Sequence, residues 1–143
     1  MTKKIYREYY DNGKKRLEAT YKDSKQDGLT TFWYENGKKN FEGKFKDGEH
    51  EGLSTAWYEN GQKNSEGTYK NGKKEGIWVV WYENGQKYEE ATYKDGKYEG
   101  LNTAWHENGQ KNEEATYKEG KCGPVTLWLE NGLMIMKDGK IEW

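Results

Sequence analysis

The sequence has few of the residues that build an ordinary globular core or a disulfide-locked fold. Ile, Leu and Val together occur fourteen times in 143 residues, which is too few for the thick aliphatic core of a compact domain. Its single cysteine, Cys122, excludes an intramolecular disulfide framework. The longest apolar run, from Ile77 to Tyr82, is too short to cross a bilayer.

Excess charge of either sign is also missing. The formal net charge is -1, and no block of Lys and Arg stands out, so we expect no nucleic-acid partner. A basic amphipathic helix is absent too, which makes a membrane partner the least favoured class. A secretory signal has an apolar stretch after its positively charged start, and no such stretch follows the lysines of residues 1–8. A lone thiol fits a reducing compartment, and we therefore predict a cytoplasmic protein.

Aromatic residues are abundant by contrast. With 34% charged residues the chain would be expected to be disordered, but it carries 7 Trp, 12 Tyr and 3 Phe. Each such ring can bury roughly 150–250 Å². We therefore expect an ordered but thin structure that is held by aromatic packing.

A repeat of 24 residues dominates the sequence, with a final step of 23. Its most regular part is Trp-Tyr-Glu-Asn-Gly, as at residues 33–37 and 57–61, and variants of this unit run from residues 9–13 to 128–132. Further columns keep the same step: a Lys two residues after the first five Asn-Gly units of this series, a Glu, a small residue, an aromatic residue, a turn Gly and an aliphatic residue. Pro124 interrupts the aliphatic column.

Turn chemistry predicts the fold. Asn-Gly is a strong β-hairpin signal because a type I′ turn needs positive φ at both central residues. A second Asp-Gly or Asn-Gly turn follows in most repeats, and segments rich in Trp, Tyr and Thr lie between the turns. If Asn60-Gly61 is a two-residue loop, Trp57 lies opposite Asn64, and one sheet face carries Thr55, Trp57 and Glu66.

The predicted fold class is all-β: an elongated, curved, single-layer antiparallel meander of about five 24-residue hairpin repeats plus caps. We expect one repeat domain over residues 1–143, with an N-terminal half repeat at 1–10, tandem repeats at 11–132 and a C-terminal cap at 133–143. The cap contains the most aliphatic stretch, Leu133 to Met136. An alternative is that this stretch forms an exposed edge strand through which the protein self-associates.

The units Tyr-Glu-Asn-Gly-x-Lys, Glu-Gly-x-Tyr-Lys-x-Gly and Gly-Leu resemble MORN repeats, specifically their bacterial variant form. The resemblance covers nearly the whole chain. It implies a single-layer meander of β-hairpins and a role in protein–protein assembly, and lipid binding has been proposed for some members. The variant form is also similar to proteins catalogued as antitoxin-like. The chain departs from the common pattern by favouring Trp-Tyr-Glu-Asn-Gly.

Catalysis needs unlike groups brought together, and the sequence offers no such set. His50 and His106 occupy different columns of different repeats, and Cys122 has no evident activating base. No set of zinc ligands and no phosphate-binding loop is recognisable, because the glycines fall on the turn step. We therefore predict a non-enzyme without metal or cofactor. The repeated Glu column is interpreted as cross-strand partners for Lys and Thr, with an acidic stripe for a basic partner as the alternative.

The aromatic columns are the candidate sites. We interpret the tryptophans as a structural aromatic ladder, formed by Trp33, Trp57, Trp81, Trp105 and Trp128. A single layer cannot bury both faces, so one aromatic row is expected to be partly exposed and to bind a partner. The predicted partner-binding residues are Tyr34, Tyr58, Tyr82 and, continuing that row, His106.

The favoured function is a scaffold that binds a protein or peptide of unknown identity. Antitoxin-like neutralisation of a partner protein is one alternative. Another is a module that holds a small ligand or cell-wall component in an aromatic cage, although such modules carry a shorter period and are secreted.

Overall fold

The computed structural model describes residues 2–137 and 139–141, and these residues form thirteen strands and no helix. The strands are β1 (Lys4–Tyr9), β2 (Lys15–Lys22), β3 (Lys25–Trp33), β4 (Lys39–Lys46), β5 (Glu49–Trp57), β6 (Lys63–Lys70), β7 (Lys73–Trp81), β8 (Lys87–Lys94), β9 (Lys97–Trp105), β10 (Lys111–Lys118), β11 (Lys121–Trp128), β12 (Met134–Lys137) and β13 (Lys140–Ile141).

The strands fall into two compact units, Met1–Lys73 and Lys74–Trp143. In the first unit each strand from β1 to β6 pairs antiparallel with the next strand in the chain. The second unit repeats this arrangement from β7 to β13. The predicted fold class, an all-β antiparallel meander of hairpin repeats, is confirmed.

Two kinds of turn alternate along the chain. The turn between β4 and β5 has positive φ at both central residues, Asp47 (50°) and Gly48 (86°), as a type I′ turn requires. Its equivalents start at Asn71, Asp95 and Glu119. Strands β2 and β3 are joined in the same way at Asp23 and Ser24, where Ser24 adopts φ 66° without being glycine.

The second kind of turn differs from the expectation. Around Asn60-Gly61 the Gly61 N–H donates to Tyr58 O and the Tyr58 N–H donates to Gln62 O, each at 2.9 Å. Only Gly61 has positive φ, so this is a type I turn followed by a left-handed glycine, not type I′. Asn60 instead accepts the Gln62 N–H through Oδ1 at 2.9 Å, the local bond for which Asn is favoured in turns.

This longer turn changes one pair in the predicted register. Trp57 lies opposite Lys63, not Asn64, and a β-bulge follows, after which Ala56 pairs with Ser65 and Thr55 with Glu66 as expected. The bulge absorbs the longer loop, so the predicted faces are retained. We call the side that carries Thr55, Trp57 and Glu66 the Trp face, and the opposite side the ring face.

The best buried side chains are small ones on the ring face. Ala19, Ala91 and Ala115 are at most 2% exposed. Gly43 occupies the equivalent position in the second hairpin, and a Cβ there would approach the Phe41 ring to 2.6 Å. Rings from adjacent positions therefore cover the middle of the strands, and these central positions admit only small residues.

The predicted cap, residues 133–143, contains β12 and β13. The Gly139 N–H donates to Val125 O at 2.8 Å, which holds this last turn against β11. Residues 1, 138, 142 and 143 lie outside the described residues. The division into caps and a single repeat domain stays a prediction.

The turn at Ser24 provides a stability test. A left-handed conformation costs a non-glycine residue about 1–2 kcal/mol, and the greater unfolded-state entropy of glycine offsets part of the gain. We expect Ser24→Gly to raise the free energy of unfolding by about 0.5–1 kcal/mol in denaturant melts.

The matched control is Gly48→Ser at the equivalent turn position, where an added Cβ would lie no closer than 3.9 Å to Lys25. Gly48→Ser should lower the free energy of unfolding by a similar amount, because the serine adds backbone strain at positive φ without a steric clash. Equal stabilities of the two variants would contradict this reading of the turns.

Candidate functional site

The predicted partner-binding tyrosines lie directly after the odd-numbered strands, and their hydroxyl groups link successive hairpins. Tyr34 Oη donates to Trp57 O at 2.6 Å in the first unit. In the second unit Tyr82 Oη donates to Trp105 O at 2.8 Å. The same bond occurs from Tyr10 to Trp33 at 2.6 Å. The row therefore connects repeats as well as presenting rings.

His106 continues this row in a different chemical form. Its Nε2 lies 3.0 Å from Trp128 O, the bond that a tyrosine makes elsewhere. Burial raises the pKa of Tyr82, whose ring also meets Tyr88 edge-on at 5.2 Å between centroids. The residues Tyr34, Tyr58, Tyr82 and His106 are all half-buried. All four side chains are thus partly open to solvent. The polar atoms of Tyr34, Tyr82 and His106 point towards a backbone carbonyl of the next hairpin.

Side-chain amides reinforce the same edge of each unit. Asn36 Nδ2 donates to Glu59 O at 3.3 Å, and Asn84 Nδ2 donates to Glu107 O at 3.0 Å. Asn36 and Asn84 therefore each bond both their own turn and the next one. This second role, together with that of the tyrosine hydroxyl, was missed by sequence reasoning, although recurrence of Tyr-x-Asn at a fixed step was the available signal.

On the Trp face, a lysine of the preceding hairpin lies over the ring of a tryptophan in four places. Lys15 Nζ lies 5.6 Å from the centre of the Trp33 ring, and Lys39 Nζ lies 5.8 Å from that of Trp57. Lys87 and Lys111 lie over Trp105 and Trp128 in the second unit. These are cation–π distances. That the tryptophans form a structural ladder stays a prediction.

The same lysines pair with the repeated glutamates. Lys39 Nζ lies 2.6 Å from Glu42 Oε2, which also accepts from Thr31 Oγ1 at 3.3 Å. Thr55, Glu66 and Lys63 repeat this set in the next hairpin. The bond from Lys63, and next that from Thr55, lowers the pKa of Glu66 against its partial burial. Glu42 and Glu66 thus pair across strands with a Thr, whereas the Lys partner of each lies three residues earlier in the same strand, not across from it as expected.

A stack of rings runs across the ring face and was not predicted. In the first unit His50 lies between Phe45 and Tyr69, with ring centroids 4.1 and 4.5 Å away. In the second unit Tyr98 lies between Tyr93 and Tyr117, at 4.8 and 4.9 Å. The aromatic column was visible in the sequence. The inserted column was not, because its residues share no type: Gln26, His50, Lys74, Tyr98 and Cys122.

The potentially reactive groups are separated. Burial in its stack lowers the pKa of His50, while His106 belongs to the other unit. Cys122 is exposed, and its hydrogen bond is the main cause that raises the pKa of Tyr117 to about 12. Across residues 2–137 and 139–141, no three His, Cys, Asp or Glu side chains converge as metal ligands would. The described residues also contain no helix that could span a membrane.

Exposed aliphatic side chains recur on the Trp face. Leu29 and Leu53 are 50% and 58% exposed in the first unit, and Ile77 and Leu101 are 60% and 53% exposed in the second. The sequence revealed this column but did not indicate that it faces solvent. It gives each unit a second apolar surface besides the tyrosine row.

Comparison with known families identifies the repeat. The sequence profile described as MORN repeat variant matches five segments, residues 4–23, 26–47, 51–71, 74–95 and 98–119. Each matched segment is one hairpin of the structure. The first segment begins with β1, whereas the tandem repeats predicted from turn spacing begin at residue 11, one strand later. A search of curated proteins found no significant match.

The tyrosine hydroxyl bond predicts a measurable loss of stability. Tyr34→Phe keeps the ring and removes the donor to Trp57 O, which should lower the free energy of unfolding by about 1 kcal/mol. Tyr9→Phe is the matched control, because the Tyr9 ring is 56% exposed and none of the described hydrogen bonds involves its hydroxyl. Thermal melts of both variants test this, and an equal loss in the control would contradict the assigned role.

The Glu66 cluster predicts a contribution to acid stability. Because the folded-state pKa of Glu66 is lowered from 4.5, its stabilisation is present above that value and is lost as pH falls through the lower folded pKa. Glu66→Gln should therefore flatten the loss of stability between about pH 5 and 3, by about 0.5 kcal/mol. Denaturant melts at each pH measure this, with the solvent-exposed turn residue Glu59→Gln as control. The same flattening in the control would sink the assignment.

Proposed function

Because the chain belongs to the MORN repeat variant family, we propose that it is a non-catalytic scaffold that binds a protein or peptide partner. Repeats of this family are generally protein- or membrane-binding scaffolds. The proposed contact residues are Tyr34 and Tyr58 in the first unit, and Tyr82 and His106 in the second. No metal, cofactor or nucleic acid takes part in this proposal.

The observation that carries the proposal is the fixed orientation of these rings. The hydroxyls of Tyr34 and Tyr82 are each bound to a backbone carbonyl of the next hairpin. A ring held at both its Cβ and its hydroxyl loses little side-chain entropy when a partner packs on it, which favours binding. Tyrosine is also among the residues enriched at energetic centres of interfaces.

Charge pairing argues for recognition rather than catalysis. The glutamates and lysines of the repeat form ion pairs with one another, as in Lys15–Glu18 and Lys87–Glu90. A general acid or base has to stand out from such a series by its surroundings, and each of these glutamates pairs with the lysine three residues before it. The surface left for function is the aromatic and aliphatic one.

A cage for small cations or sugars is less favoured by the same geometry. Such a site needs open aromatic faces, but the protein's own lysine ammonium lies over Trp33 and Trp57, at 5.6 and 5.8 Å. A choline-like ligand would have to displace it. Antitoxin-like neutralisation is the special case of the proposed function in which the protein partner is a toxin.

The test compares two double variants with the wild type. Immobilised protein captures its partner from a lysate of the source cells, and the purified partner is then titrated against each variant. Tyr34→Ser/Tyr58→Ser should weaken binding by about 100-fold or more, because two ring contacts are lost. Tyr34→Phe/Tyr58→Phe should weaken binding by about five- to tenfold, less than the serine variant, because both rings remain but the hydroxyl bond that fixes Tyr34 is lost.

Leu29→Ser/Leu53→Ser serves as the matched control, since it removes two exposed apolar side chains from the Trp face of the same unit. If this variant loses the partner and the tyrosine-to-serine variant keeps it, the Trp face is the binding surface and the tyrosine row is not. If the wild type captures no partner, the scaffold proposal itself fails.

A further inference from the structure

The first strand has the features of a self-complementary edge. Strand β1 pairs with β2 and, among the described residues, has no strand on its other side. An open strand edge carries backbone N–H and C=O groups that can pair with another chain. At the other end of the strand order, β13 has only two residues, whereas β1 has six.

One ring of β1 is far more exposed than the side chains at the equivalent position of interior strands. Tyr6 is 49% exposed, whereas Thr30, one repeat later, is 1% exposed; Ile5, at 55%, is as exposed as its equivalent Leu29. Beside them lies an open cavity of about 400 Å³ that is lined by Lys4, Ile5, Tyr6 and Tyr21. An incoming strand would cover these groups.

Tyr21 is the point at which the ring stack stops. In the next hairpins Phe45 and Tyr69 each pack against the His50 ring. Tyr21 bonds to Gln26 at 3.4 Å, but none of the ring–ring contacts among the described residues involves it. Its other side faces the β1 cavity. The first hairpin thus offers an apolar recess next to open backbone groups.

The order of charges in β1 selects the partner. When two β1 strands pair antiparallel about a two-fold axis, residues of the same face lie opposite one another. Centring the pair on Ile5 places Arg7 opposite Lys3, and centring it on Arg7 places that residue opposite itself. Like charges directly across a strand pair are destabilising. Both registers are therefore disfavoured.

Centring the pair on Tyr6 avoids every such clash. It places Lys4 opposite Glu8 of the second copy, and Tyr6 opposite Tyr6 near the cavity. It also sets Lys3 across from Tyr9, the relation that Lys39 and Trp33 have between β3 and β4. Glu8 now accepts from Tyr6 Oη at 2.9 Å and lies 3.9 Å from Arg16, so its carboxylate stays on the surface and within reach.

We propose that β1 is a homodimerisation strand, which pairs antiparallel with β1 of a second copy in the register centred on Tyr6. The contact is one strand long, so the dimer is weak, with a dissociation constant on the order of 10–100 µM. The partner is this chain itself, and the surface is separate from the tyrosine row. Failure of either proposal leaves the other standing.

Charge exchange tests the register in the whole chain. Sedimentation velocity over about two decades of concentration around that value should show a monomer–dimer equilibrium. Lys4→Glu and Glu8→Lys, each alone, should weaken the dimer by about tenfold or more, because each places like charges opposite one another twice in the symmetric pair. The double variant Lys4→Glu/Glu8→Lys should return the dissociation constant to within about threefold of wild type.

Lys97→Glu is the matched control, a charge reversal on an exposed lysine of the second unit, and it should leave the dimer unchanged. Circular dichroism melts confirm that all four variants remain folded. A wild type that stays monomeric throughout overturns the proposal. So does a dimer that ignores both single changes, or a double variant that fails to recover.

Discussion

The structure depends on contacts that pass from one hairpin to the next. A single sheet layer has no second layer against which to bury apolar area, so backbone pairing alone would leave its twist and spacing loosely determined. The bond from Tyr34 Oη to Trp57 O, and the Asn36 bond to Glu59 O, tie each turn to its neighbour. Lysines over tryptophans do the same on the Trp face. Each hairpin is thereby the packing partner of the next.

This constraint explains why some columns repeat and others vary. A side chain that must meet its counterpart one repeat away is restricted to groups that can make the same contact, so the Lys and Glu columns repeat and His106 replaces a tyrosine while keeping its bond. On the ring face the inserted column needs only a group that fits between two rings. His50 and Tyr98 both fit there, and Lys74 lies 4.9 Å from the Tyr93 ring in a third variant. The residue type therefore varies most from repeat to repeat in this column of the ring face.

The same division explains what could be predicted from the sequence. Turn spacing and alternation predicted the strands, and the pairs Thr55–Glu66 and Ala56–Ser65 are as expected. The predicted turn type at Asn60-Gly61 was wrong. The same Asn-Gly dipeptide occurs in a two-residue loop and in the longer loop found here, and the bonds of Tyr58 with Gln62 and Gly61 decide between them. Likewise, no periodicity marks His50 as a stacked residue. The roles of the tyrosine row in binding and of the tryptophans as a ladder remain predictions.

Dependence on neighbours also makes the ends of such an array different from its middle. An interior strand such as β3 has its tryptophan covered by a lysine and its carbonyl bonded by a tyrosine of the preceding hairpin. β1 has neither partner among the described residues, and Tyr9 stands in the place of the tryptophan with more than half of its surface exposed. Free backbone groups and uncovered rings at an end invite either a cap or another strand. In the proposed register Lys4 of one copy lies opposite Glu8 of the other, so the edge that lacks a neighbouring hairpin would gain a strand of opposite charge.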